Sequence, residues 1–107
     1  MIIVTTDEIE GMSITRVHGI VMANSVRAKH LGKDLMAAFR NIAGGEIDEY
    51  SRLLAESREA AVQRMVDKAE AMGANAIVGT RFSTAGIMGG ASEILAYGTA
   101  VEAKESD

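Results

Sequence analysis

From Glu46 to Met72 apolar residues recur every three or four positions, and Gly73 stops the pattern. A helix that long needs a broad surface to bury its apolar face, and the two β-patterned runs that follow it can supply a sheet. At about 100° per residue, Ile47, Tyr50, Leu54, Ala61, Val62, Met65, Ala69 and Met72 share one face. Glu46, Asp48 and Glu49 occupy the first turn, where negative charge complements the helix dipole. Gly73 has the character of a left-handed C-terminal residue. The same arithmetic puts Arg58 near the middle of the apolar face, where a guanidinium is costly unless carboxylates or carbonyls meet it.

Asn75 to Thr84 and Glu93 to Ala103 read as paired strands, with Val78, Thr80 and Phe82 alternating in the first and Leu95, Tyr97, Thr99 and Val101 in the second. Ala85 to Ala91, rich in glycine, connects them. Upstream, Ile2 to Thr6 and Met12 to Ala23 are β-branched runs, and Gly19 inside the second predicts a bend or bulge. Leu31, Leu35, Ala38, Phe39 and Ile42 space out a short amphipathic helix closed by Gly44 and Gly45. The expectation is an α+β fold, an antiparallel sheet backed by one long and one short helix, in a single domain over residues 1–107.

Hydrophobic residues make up 48% of the chain, yet its aromatics are two Tyr and two Phe, so the core must use Ile, Val, Leu, Met and much Ala. Small side chains bury little area each, and a domain this size hides only about two thirds of its unfolded surface. Contacts between copies are expected to supply the rest. A net charge of −4 without a basic run argues against nucleic acid, and no apolar stretch has the length of a membrane span. Cysteine is absent, which excludes disulfides, thiolate metal sites and a cysteine nucleophile. The N-terminus has no signal-peptide pattern, so a cytoplasmic protein is expected.

Five blocks, Gly-Gly-Glu-Ile-Asp-Glu-Tyr (44 to 50), Leu53-Leu54, Arg58-Glu59, Gly-Ala-Asn-Ala (73 to 76) and Tyr-Gly-Thr-Ala-Val (97 to 101), stand in an order and spacing that resemble the YbjQ-like family, which carries a heavy-metal-binding label. The resemblance covers nearly the whole chain. It implies a dodecin-like subunit, one sheet backed by a long helix, with subunits closing into a ring, typically a homopentamer. It also implies a metal ion, for which this chain offers Met thioethers or His with carboxylates in place of thiolates.

His30 and Asp34, four apart, are the metal candidates at sequence level, in competition with a solvated helix end. His18 reads as a hydrogen-bonded structural or interface residue, and the scattered methionines as core filling. Gly86, Gly89 and Gly90 lack the Lys-Ser or Lys-Thr of a phosphate loop. Arg58, Glu93, Tyr50 and Tyr97 are the structural, interface or ligand candidates, with Glu93 or a carbonyl across a subunit contact as the expected partner of Arg58. No nucleophile, base and acid group together, so catalytic residues are not assigned. The functional expectation is a homo-oligomeric binding module that holds a metal ion or small ligand. The alternative is an interaction scaffold with no ligand of its own.

Overall fold

The structure, a computed structural model, describes residues 1–27, 44–86 and 92–107, without the side chains of residues 27, 44–50 and 92. Its elements are β1 (Ile2–Ile3), β2 (Met12–Arg27), α1 (Gly44–Ala71), β3 (Ala76–Gly86) and β4 (Ser92–Glu105). The strands form one sheet in the order β1-β3-β4-β2. The expected α+β class holds, and β2, β4 and β3 are antiparallel as anticipated, but β1 runs parallel to β3 and makes the sheet mixed. The helix expected at residues 31–42 lies outside the described residues. Of the connection expected over Ala85–Ala91, Ala85 and Gly86 end β3, and the rest lies outside the described residues.

Among the described residues one helix, α1, covers one face of this sheet. Ala61, Met65 and Ala69 of α1 are buried with Val21 and Ala23 of β2, Ile77 of β3, and Ile94, Ala96 and Ala100 of β4. Most of these side chains are Ala, which lets the helix approach the sheet closely at the cost of little buried area per residue. Within the contact the buried Ser57 Oγ donates to Ser25 Oγ at 3.1 Å. At the free edge of the sheet, Arg64 Nη1 donates to Asn24 O at 2.7 Å and Lys68 Nζ to Met22 O at 3.1 Å. Two cations four apart on the helix thus cap two carbonyls of the edge strand and blunt it against further pairing there.

The Gly-Ala-Asn-Ala block ends the helix and starts the sheet. Gly73 has φ +90°. Its N–H donates to Glu70 O and that of Ala74 to Ala69 O, both at 3.0 Å, which is the Schellman arrangement. Asn75 then extends the ladder with its side chain, donating from Nδ2 to Ala103 O at 2.9 Å and accepting the Ala103 N–H at 2.8 Å.

Bulges set the rest of the sheet. The β2–β4 register shifts between Ile14 and Arg16 and again between Val17 and Gly19, where Gly19 has φ +119°, as its place in the strand predicts. In β3 the register shifts between Val78 and Arg81 at Gly79, φ +61°. This second site breaks the expected alternation: Val78 is buried on the face away from the helix, while Thr80 stands beside Ile77 around Gly98. The extra residue turns its successors over. It also shortens β1 from the expected Ile2–Thr6, because Gly79 and Thr80 give their N–H groups to Thr6 and Val4 carbonyls outside regular pairing.

On the second face, Val4, Ile9 and Met12 fold over Ala76, Val78, Val101 and Ala103. That cover reaches only one end of the sheet. The Cα radius of gyration is 17.2 Å, against about 13 Å for a compact chain of this length. Gly98 is the tightest point of the sheet, since a Cβ there would lie 2.7 Å from Ile77 Cγ2 and 3.0 Å from Val78 O. Gly98→Ala is expected to lower stability by about 1–3 kcal/mol through overpacking, measured as a shift in the denaturant midpoint.

Candidate functional site

The helical ridge that meets the sheet is Ser57, Ala61, Met65 and Ala69, all buried, and it displaces the expected position of Arg58. Arg58 is one residue, about 100°, off that ridge and is exposed. It lines a cleft of about 290 Å³ together with Leu54, Thr84, Ala85, Gly86, Glu93 and Ile94. Arg58 and Glu93, paired on sequence grounds, thus line one cleft, and no ion pair joins them. The Glu93 carboxylate instead accepts Asn24 Nδ2–H at 2.9 Å. Tyr97 pairs with Met22 and Arg81 on the face of the sheet away from the helix. His30, Asp34 and the side chain of Tyr50 lie outside the described residues.

Among the described residues, that face carries a run of exposed apolar side chains. Val17 and Ile20 of β2 are 64% and 71% exposed, and Met22, Val26 and Tyr97 are also open. Direct pairing sets Val17 beside Val101, Ile20 beside Thr99, Met22 beside Tyr97 and Val26 beside Glu93, which makes an apolar band along β2 and β4. The accessible surface of 7104 Å² exceeds the roughly 5,700 Å² of a compact monomer of this mass by about 1,400 Å². Two standard contacts, at about 800 Å² per partner each, would absorb such an excess.

His18 is the residue that the β2 bulge re-aims. Its side chain is only 10% exposed, and Nε2 lies 3.5 Å from Glu102 Oε1 of β4. Nε2 has no hydrogen-bond partner within the chain. Glu102 is held from behind, since Thr15 Oγ1 donates to its carbonyl at 3.3 Å. A Cβ on Gly73, at the C-terminal end of α1, would stand 3.7 Å from His18 Cε1. The negative end of the helix, a carboxylate and a bare imidazole nitrogen thus meet at one point. Sequence spacing had no signal for the pair, because its members are far apart in the chain and are brought together by two register shifts.

The heavy-metal label is tested by these donors. Thiolates are absent from the chain, and among the described residues no three His, Asp or Glu side chains converge as a metal-binding group. What is present at this point is one imidazole nitrogen and one carboxylate, already facing each other at 3.5 Å and short of the three or four ligands of a metal centre. It does not fit a closed soft-metal centre.

Comparison with known proteins places these features in a wider set. The family profile YbjQ, described as "Putative heavy-metal-binding", matches residues 1–104. A UPF0145 protein of Thermosipho africanus is 53% identical over 100% of this chain and 99% of its own. A UPF0145 protein of Methanosarcina acetivorans is 55% identical over 95% of this chain and 96% of its own. A crystal structure of a protein of unknown function from Pediococcus pentosaceus, assigned to the DUF74 family, superposes with TM-score 0.64 at 21% identity, covering 97% of this chain and 98% of that one. This last likeness is one of fold.

The burial difference between neighbouring helix residues gives a direct check on the helix phase. Ser57→Ala is expected to cost about 1–3 kcal/mol by orphaning the Ser25 hydroxyl, and the Ser25→Ala/Ser57→Ala double variant to recover most of it. Arg58→Ala is expected to change the stability of the folded chain by less than about 0.5 kcal/mol. Urea denaturation of the four proteins measures all of these values.

Proposed function

The chain belongs to the YbjQ family, and on that premise we propose that it is a cytoplasmic homo-oligomeric binding module, closed into a ring of five, that holds a metal ion or small ligand. The observation that carries the assembly is the apolar band of Val17, Ile20, Met22, Val26 and Tyr97, left open while the helix occupies the opposite face. Another copy of the chain is the cover proposed for it, a reading supported by an excess of accessible area of the size a ring member shares with two neighbours. The number five follows the family resemblance. The Arg64 and Lys68 caps favour a contact through the face of the sheet over strand pairing along the capped stretch of β2.

Three further features support the module reading. A net charge of −4 disfavours nucleic acid as the partner. The lack of cysteine suits a reducing compartment. Among the described residues no helix is long and apolar enough to cross a membrane.

Ile20, at the centre of the band, is the residue to test. Native mass spectrometry of the unmodified protein is expected to give five chains of 11.3 kDa each. Ile20→Lys is expected to weaken subunit association by about thirtyfold or more, because it buries an unpaired ammonium at the contact. Full retention of the assembly by Ile20→Lys would place the contact elsewhere.

A further inference from the structure

We propose that Arg58 of one copy pairs with Glu93 of the next, so that the cleft beside α1 is the second contact surface of the assembly and receives the β2–β4 band of its neighbour. The inference rests on the homo-oligomer reading and names the residues that match one copy to another. A ring of identical subunits is closed by contacts in which one surface of a copy meets a different surface of the next. The apolar band supplies the first surface, and three observations point to the cleft as the other.

The first is the placement of the two charges. Ile94 is buried beneath α1, so its strand neighbour Glu93 turns its side chain to the band face, in register with Val26, where its carboxylate accepts Asn24 Nδ2–H. Arg58 extends from the flank of α1 on the helix side of the sheet and is exposed. Both residues border one cleft, yet their charged groups belong to different faces of the subunit, and no ion pair forms within the chain.

The second is that neither charge meets its opposite along its own element. Three and four positions from Arg58 stand Leu54, Ala55, Ala61 and Val62, none of them acidic. Directly across from Glu93 stand Val26 and Ala85. Arg64, Lys68 and Arg81 are engaged elsewhere, on the carbonyls of Asn24, Met22, Thr5 and Thr80. The third observation is the lining. The core of α1 packs on β2 and β4 and leaves Phe82 of β3, paired with Ala96, 49% exposed. Phe82 stands two residues along β3 from Thr84 and so continues the apolar lining that Leu54 and Ile94 give the cleft. An apolar strip with a guanidinium beside it complements a band of Ile20, Met22, Val26 and Tyr97 with a carboxylate at its end.

Sedimentation velocity over a dilution series, with circular dichroism as the check on folding, tests the pairing. Arg58→Glu and Glu93→Arg are each expected to weaken association about tenfold or more, because each sets like charges against one another at the contact. The Arg58→Glu/Glu93→Arg double variant is expected to recover most of the loss. An equal mixture of the two single variants is expected to do the same, since opposite charges can then meet only between chains. Glu93→Gln, which keeps an acceptor for Asn24, is expected to weaken association about threefold and decides the matter where a charge reversal fails to fold. Unchanged association in these variants, or a loss that the mixture does not recover, would overturn the pairing. An assembly intact in all of them but broken by Ile20→Lys would refute this inference and leave the ring reading standing. An unmodified protein that sediments as a single chain would remove both.

Discussion

Close contact between alanines holds this subunit together. Ala61 and Ala69 on α1 face Ala23, Ala96 and Ala100 on the sheet, with Met65 filling the space between them. Side chains this small allow a near approach of helix and sheet, and Gly98 carries the same economy of volume into the sheet itself. The consequence is a thin structure, with a least dimension of 16 Å against a length of 58 Å. A thin two-layer unit buries one face of its sheet under the helix, and the chain's own start covers part of the other.

The two ends of the sheet are treated differently. Near β1, the segment carrying Val4, Ile9 and Met12 closes over Val101 and Ala103, so the outer face is sealed there by the chain's own start. Farther along β2 and β4 the same face carries the exposed Ile20, Met22 and Tyr97. The edge next to that region is not left to chance, because Arg64 and Lys68 occupy two of its carbonyls. An apolar face beside a guarded edge directs association toward sheet faces and away from open-ended strand addition. The bulges that bend β2 serve a separate end, since they turn His18 toward Glu102 and the end of the helix.

Much of this architecture was legible in the residues, and the failures have identifiable causes. Gly73 and Gly19 announced a helix stop and a strand bulge because both need positive φ, and both have it. The hydropathy pattern puts the helix phase about one residue off around Arg58, because averaging over the whole face gives weight to Leu54, Val62 and Met72. Packing instead follows the smallest side chains, Ser57, Ala61 and Ala69, whose own hydropathy is slight. Val78 and Thr80 were assigned to one face because a strand without interruption has period two, and nothing in the local pattern marked Gly79 as an inserted residue. The meeting of His18 with Glu102 depends on strand register, which is a property of the sheet and not of either segment alone.

The central claim is that the uncovered sheet face exists only inside an assembly of copies. Small-angle X-ray scattering from the unmodified protein in dilute solution tests this most directly. The account predicts a scattering mass several times 11.3 kDa and a radius of gyration well above the 17.2 Å of one chain. A particle of single-chain mass whose radius stays at or below that value across a dilution series would contradict it.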